Sequence, residues 1–235
     1  MERLTVEQEK ELLQRVYAQD DFLDNGGGRM VFGCPEDIDI PGVEGDAVVK
    51  IALGDAGLCQ NEAEVDFYEA HCQDIDLARI YAVGRVCIVM ERVDTSLTDY
   101  IRDWLDGDLD DEDAAECFAE EGGYTPGQTE ELLEQASMLK SDLDDCIGST
   151  SDNGQIGMNE DGCLVAYDYG FDPDYDASEQ CSDTREYVDC DLPRQFLLNT
   201  ILESINEDAL CFDKETHAFM AAVEDFFFDN REQWD

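Results

Sequence analysis

The stretch AVVKIA, residues 47–52, places a lysine inside an otherwise apolar segment. Together with Leu53 it predicts a strand over residues 47–53, because an apolar segment between glycine-rich turns is typical of a buried strand. Burying the ammonium group of Lys50 alone costs several kcal/mol, so the segment predicts an acidic partner elsewhere in the fold. The alternative is that Lys50 lies at a sheet edge and extends its charged end into solvent.

The predicted partner lies on the helix that follows. Residues 61–71, NEAEVDFYEAH, have the pattern of a helix. Glu64 shares a helix face with the two aromatic residues three and four positions later, and it is the preferred partner of Lys50. Glu62 is the alternative, and solvent exposure is the simpler interpretation of its side chain.

A second informative stretch is LVAYDYG, residues 164–170, where an apolar strand ends in an aspartate, an aromatic residue and a glycine. Together with QIGM, residues 155–158, it predicts a hairpin, because Asp161-Gly162 favours a tight turn. Phosphoryl transfer needs a cation on the nucleotide phosphates, an acid that fixes this cation and a carboxylate that holds magnesium. Lys50, the helix acid and Asp168 supply these groups in that order. The alternative is an ordinary turn after a strand.

The remaining pattern predicts an α+β fold with strands first and helices later. The other predicted elements are a helix over 3–18, a strand at 30–32, a break at 54–57 and a hairpin over 77–93 divided at Gly84-Arg85. Further helices are predicted over 96–105, over 129–147, over 185–206 with a break at Pro193, and over 209–230. The most acidic segment, residues 106–128, predicts a helix within a mobile insert or a surface connection.

Charge dominates the composition. There are 60 acidic and 14 basic residues, which gives a formal net charge of −46. Near 1 M salt the Debye length falls to about 3 Å and repulsion between these charges is screened, so the composition predicts a salt-loaded cytoplasm. Acidic mimicry of nucleic acid is the alternative. No run of lysine or arginine occurs, and therefore direct nucleic-acid binding is not expected.

The sequence also predicts a soluble, intracellular protein without a membrane partner. The N-terminal stretch MERLTVEQEKELLQRVY is charged and amphipathic, and no apolar run reaches the length of a membrane span. Ten cysteines are present without a C-x-x-C pair, and there are only two histidines. This pattern favours reduced cysteines over a zinc site.

Taken in order, these motifs resemble the protein-kinase-like family, in particular the small, divergent kinase-like proteins of phages and haloarchaeal viruses. The segments that carry the resemblance are GGGRMVFG (26–33), AVVKIA (47–52), CQNEAEVDFYE (59–69), RVCIVMERV (85–93), DNGQIGMNEDG (152–162) and AYDYG (166–170). The resemblance implies a two-lobed fold. Residues 1–93 would form an N-terminal helix and a small antiparallel-sheet lobe with one helix, and residues 94–235 a reduced, mostly helical lobe with an acidic insert at about 106–128.

The resemblance also implies ATP and Mg²⁺ as cofactors. The implied catalytic residues are Lys50, Glu64 and Asp152; the nucleotide-binding residues are Gly26, Gly27, Gly28, Lys50 and Glu91; and the metal ligands are Asp168 and Gln155. Tyr169 would replace the phenylalanine of the family's D-F-G motif, and Gly170 would permit the backbone turn.

Several positions depart from the family's pattern. The glycine segment is GGGR instead of G-x-G-x-x-G. Neither histidine nor arginine stands directly before Asp152. If the family's spacing is kept with Gln155 in the place of the metal-binding asparagine, Thr150 falls on the position of the base. If the loop is shortened, Asp152 is the base and Gln155 is the substitute ligand. No A-P-E motif follows Asp168, so the part that binds the acceptor is expected to be truncated.

The favoured function is an ATP- and Mg²⁺-binding phosphotransferase acting on an unidentified protein or small-molecule acceptor in a high-salt cytoplasm, encoded by a cell or a virus. The first alternative is a catalytically inactive pseudokinase that serves as an interaction module, such as a viral one. A structural or acidic regulatory protein without nucleotide affinity is the second alternative.

Overall fold

The computed structural model describes residues 1–19, 21–25, 28–43, 45–52, 54–147 and 155–169, together with residues 218, 220 and 221. Within these residues the fold is α+β, with a six-stranded sheet, a two-stranded sheet and five helices. No helix among them is long and apolar enough to cross a membrane. The predicted helix over 185–206 lies outside the described residues. Of the predicted helix over 209–230, only residues 218, 220 and 221 are described, and these three are helical.

The described residues form two compact units. The first comprises Met1–Val65 and Ile80–Glu91 with the described residues near position 220, and the second comprises Asp66–Arg79 and the described part of Arg92–Phe171. The elements of the first unit are β1 (Glu2–Arg3), α1 (Val6–Gln19), β2 (Phe22–Asn25), β3 (Arg29–Gly33), β4 (Ala47–Ala52), the start of α2 (Asp55–His71), β5 (Ile80–Val83) and β6 (Cys87–Glu91).

The large sheet has the strand order β1-β5-β6-β4-β3-β2, and every neighbouring pair is antiparallel except β1 with β5. Strand β4 is therefore an inner strand, and all six of its residues are buried. Val49 and Ile51 point to one face, because side chains alternate along a strand. They belong to the same buried cluster as Leu12, Leu13 and Val16 of α1. The N-terminal helix thus contributes to the core on that face.

Most elements predicted for this unit are confirmed. Strands β3 and β4 form the expected antiparallel pair, and β5 and β6 form the expected hairpin. The predicted break at residues 54–57 is wrong, because α2 already begins at Asp55. Gly57 lies in the first turn of this helix, where an added Cβ would be 1.9 Å from the carbonyl oxygen of Gly28. Gly57 therefore permits the first turn of α2 to approach Gly28 closely. In the sequence, the same glycine interrupts the apolar pattern.

A buried glutamate on α1 holds the turn between β5 and β6. Glu9 is fully buried, and its Oε1 accepts hydrogen bonds from the backbone N–H groups of Arg85 (2.7 Å) and Val86 (2.9 Å). Its Oε2 forms an ion pair with Arg85 Nη1 at 3.3 Å. A Cβ on Gly84 would lie 2.3 Å from this carboxylate. Any larger residue at position 84 would therefore clash with the carboxylate of Glu9, which explains the glycine that divides the two strands in the sequence.

The second unit contains the end of α2, three further helices and a hairpin. Its elements are α3 (Thr98–Asp106), α4 (Asp111–Gly122), α5 (Pro126–Ile147), β7 (Gln155–Met158) and β8 (Leu164–Tyr167). The helix predicted within the acidic segment is confirmed as α4. The side chain of Asp110 caps it by accepting from the N–H groups of Glu112 and Asp113, and Gly123 ends it with a φ of 68°.

The hairpin of β7 and β8 is confirmed as well, with Gln155 opposite Tyr167 and Met158 opposite Leu164. Its turn is held by Asn159, whose Oδ1 accepts from the N–H groups of Asp161 and Cys163. Gly162 has a φ of 78°. A glycine is favoured there because other residues adopt this conformation at a cost.

The carboxylate of Glu9 generates a prediction about stability. Glu9→Ala should lower the free energy of unfolding by about 3–5 kcal/mol, because it leaves buried backbone donors and an arginine without their acceptor. Glu11→Ala is the control, since Glu11 lies exposed on the same helix, and it should change stability by less than about 0.5 kcal/mol. Urea unfolding in molar KCl measures both variants. Equal effects would show that the Glu9 contacts contribute nothing of their own.

Candidate functional site

Lys50 lies in the middle of the large sheet. Strand β4 runs between β3 and β6, and Lys50 pairs with Val31 on one side and with Ile88 on the other. The residue is 5% exposed. The alternative of an edge lysine that extends into solvent is therefore wrong, and the ammonium group needs compensation inside the protein.

Glu64 supplies that compensation, as the helix pattern predicted. Lys50 Nζ donates to Glu64 Oε1 at 2.7 Å. Glu64 is 0% exposed, whereas Glu62, the alternative partner, is partly exposed. A charge-assisted hydrogen bond of this length in a buried setting fixes the ammonium group relative to α2.

A second cation, which the sequence analysis missed, shares the same carboxylate. Arg29 Nη1 donates to Glu64 Oε2 at 2.5 Å. Arg29 is as buried as Lys50. In the register of β3 and β4, Arg29 stands opposite Ala52, two residues after Lys50. Both cations therefore project from the same face of the sheet, because cross-strand neighbours share a face.

An asparagine completes the group. Asn61 is fully buried one helical turn before Glu64, and its Oδ1 accepts from Arg29 Nη1 at 3.4 Å. Its Nδ2 donates to the backbone carbonyl of Val86 at 3.2 Å. We refer to these four residues, Arg29, Lys50, Asn61 and Glu64, as the Glu64 cluster. It joins β3, β4 and α2 and ties the helix to the chain just before β6.

Of the other residues predicted for nucleotide binding, the structure describes two, Gly28 and Glu91. Gly26 and Gly27 lie outside the described residues. Gly28 is buried, directly precedes Arg29 and approaches the first turn of α2. Glu91 is the last residue of β6 and stands opposite Ala47. The register thus separates Glu91 from Lys50 by about 10 Å along the strands, and Glu91 is not part of the Glu64 cluster.

Asp168, the predicted magnesium ligand, follows β8 in the second unit. Its side chain is exposed. Its φ is 54°, and it is the one residue other than glycine with a positive φ in the described part of the chain. Such a conformation is uncommon for residues with a side chain, although aspartate tolerates it better than most. Backbone strain of this kind is found preferentially at functional sites.

The neighbouring tyrosine anchors this turn. Tyr169 is 1% exposed, and its hydroxyl donates to the carbonyl of Ala78 at 2.9 Å. Its ring lies 5.5 Å from the ring of Phe67, which belongs to the part of α2 in the same unit. Asp168 is thus held exposed next to a residue that is fixed in the core.

The catalytic loop stays a prediction. Asp152 and Thr150, the two alternatives for the base, lie outside the described residues. Gln155, the predicted second metal ligand, is the first residue of β7, and its side chain is exposed. Which of the two loop alignments applies is therefore open.

Potential metal ligands do not cluster among the described residues. No group of three or more histidine, cysteine, aspartate or glutamate side chains suitable for a metal ion occurs among them. Magnesium is typically bound by one or two carboxylates together with substrate phosphates, so a magnesium site need not form such a group. Burial raises the pKa of the Cys34 thiol to about 11, a shift that opposes formation of the reactive thiolate.

Comparison with known proteins finds no matching family model, no similar curated protein and no similar solved structure. The function of this chain is therefore inferred from its own residues and contacts.

The Glu64 cluster generates a prediction about stability. Glu64→Gln should lower the free energy of unfolding by about 3–5 kcal/mol, since it removes a negative charge that pairs with two buried cations. The matched control is Glu62→Gln on the same helix, with an expected loss below about 1 kcal/mol because Glu62 is partly exposed. Urea unfolding at constant KCl concentration measures both. A loss at Glu64 no larger than that at Glu62 would contradict the view that the cluster organises this unit.

Proposed function

We propose that this chain is a kinase-like, ATP- and Mg²⁺-binding phosphotransferase with a two-lobed kinase-like fold. The observation that carries the proposal is the ion pair between Lys50, on an inner strand, and Glu64, on the following helix. A buried lysine held by a helix carboxylate is the arrangement with which kinases position nucleotide phosphates.

The chemistry of the pair supports this role. Phosphoryl transfer is catalysed mainly by positioning and by electrostatic stabilisation of charge on the phosphate oxygens. An ammonium group fixed by Glu64 needs no reorganisation when a phosphate arrives. A buried environment strengthens the attraction, because the effective dielectric constant there is lower than in water.

Asp168 supports the second part of the proposal, the binding of magnesium. Carboxylate oxygens are preferred ligands of Mg²⁺, and this carboxylate is exposed on a turn whose φ of 54° favours a functional explanation. Anchoring by Tyr169 through the carbonyl of Ala78 keeps the turn in one conformation. A metal ligand benefits from such rigidity.

The proposed setting is a high-salt cytoplasm. A protein with a net charge of −46 repels a nucleotide polyanion at low ionic strength, whereas molar salt screens its surface charges. Nucleotide binding by such a chain is therefore compatible with molar KCl. The acceptor is a protein or a small molecule, and no described contact identifies it.

The alternative is a pseudokinase that binds partners without transferring phosphate. It is favoured by the departures in the loop sequence around Asp152, where the family's histidine or arginine is missing. Release of ADP from Mg-ATP separates the two functions, because a pseudokinase that binds nucleotide has no turnover.

Thermal unfolding in 2 M KCl with and without Mg-ATP tests the proposal. A ligand at 100 times its Kd adds about 2.7 kcal/mol to stability, so wild-type protein should melt at a higher temperature with Mg-ATP. Asp168→Asn should lose the magnesium-dependent part of this shift. Asp161→Asn, which removes an equivalent exposed charge from the turn of the same hairpin, should keep it.

Two results would count against the proposal. Absence of a shift in wild-type protein at millimolar Mg-ATP would exclude nucleotide binding. A full, magnesium-dependent shift in Asp168→Asn would keep nucleotide binding but move the metal site to other residues.

A further inference from the structure

We propose that Arg29 is a positioning residue for phosphate binding, acting through Glu64 on Lys50. The inference rests on the proposed function and deepens it, because it assigns a role to a residue that lies outside the motifs of the lysine strand and the helix acid.

The division of the Glu64 carboxylate carries the argument. Oε1 accepts from Lys50 at 2.7 Å, and Oε2 accepts from Arg29 at 2.5 Å. Each cation thus has one oxygen of the carboxylate. If Arg29 were absent, both oxygens would be open to the ammonium group of Lys50, and that group would turn further towards the carboxylate.

Arg29 is itself held in place by Asn61 and by the packing of the residue before it. Asn61 accepts from the same Nη1, and the amide of Asn61 is bonded to the carbonyl of Val86. Gly28, directly before Arg29, lies against the first turn of α2 at Gly57. A guanidinium group is planar and carries its charge at every relevant pH, so Arg29 presents Oε2 with a positively charged donor of fixed geometry.

The electrostatic consequence follows from the charges of the three groups. Glu64 balances the charge of Lys50 in their ion pair, and Arg29 adds a second positive charge at the other oxygen of the same carboxylate. Buried charges are screened by salt much less than exposed ones. Attraction from this pair of cations should therefore persist in the molar salt that we propose as the setting of a chain of charge −46. The expected ligand is the polyphosphate part of a nucleotide.

The test compares the affinities for ATP and adenosine in Arg29→Met, measured by calorimetry in 2 M KCl with Mg²⁺. Adenosine lacks phosphates, so loss of Arg29 should weaken ATP binding by about tenfold or more and leave adenosine binding unchanged. Arg29→Lys keeps the charge and should restore part of the ATP affinity. If Arg29→Met does not fold, Arg29→Gln replaces it with the same expectation.

Arg85→Met is the matched control. It also removes an arginine from an ion pair with a fully buried glutamate of the same unit, and it changes the net charge equally. This variant should lose stability and keep the wild-type preference for ATP over adenosine.

The outcomes separate this inference from the proposed function. If wild-type protein binds ATP and Arg29→Met binds it equally well, the inference is wrong and the proposed function stands. An equal loss of ATP and adenosine binding in Arg29→Met, or the same selective loss in Arg85→Met, would also overturn it by showing a merely structural role. If wild-type protein binds neither ligand, the proposed function fails and the inference fails with it.

Discussion

The hydrogen-bonded ion pair between Lys50 and Glu64 is the constraint on which the rest of the first unit depends. A lysine on an inner strand can be buried only when a carboxylate meets it, because an unpaired buried charge costs several kcal/mol. This requirement fixes where α2 lies on the sheet. The first turn of the same helix approaches Gly28 so closely that Gly57 has no room for a side chain. Arg29 and Asn61 then satisfy the remaining oxygen and tie the helix to the chain before β6.

Buried polarity in the described residues is concentrated at this point. Seven polar or charged residues are buried in the whole described part of the chain, and four of these seven form the Glu64 cluster. Such a concentration of compensated charge gives little net stability compared with apolar packing, so a functional reason for it is more economical than a structural one. Glu9 provides the contrast. Its carboxylate accepts mainly from backbone N–H groups of a tight turn, and those contacts explain its burial without any ligand.

The sequence was sufficient for features that local pattern and composition determine. An apolar strand with one lysine and a helix with an acid on its aromatic face were enough to pair Lys50 with Glu64. The hairpins at Gly84-Arg85 and Asp161-Gly162 followed from turn residues. Arg29 was missed because its partner depends on the register of β3 against β4, which places it opposite Ala52. The start of α2 was also missed. Gly57 is a glycine because of its close contact with Gly28, which is distant in sequence, and a local pattern shows only a residue that disfavours a helix. Asp152 and the two helices after residue 185 stay predictions.

The central claim is that Lys50, held by Glu64, binds the phosphates of a nucleotide. Its most direct test is a crystal structure from crystals grown in molar KCl with Mg²⁺ and a non-hydrolysable ATP analogue. The account predicts a phosphate oxygen within hydrogen-bond distance of Lys50 Nζ, while Glu64 still accepts from Lys50 and Arg29. A nucleotide bound with its phosphates away from Lys50 would contradict the account, and so would a bound structure in which Glu64 is no longer bonded to Lys50.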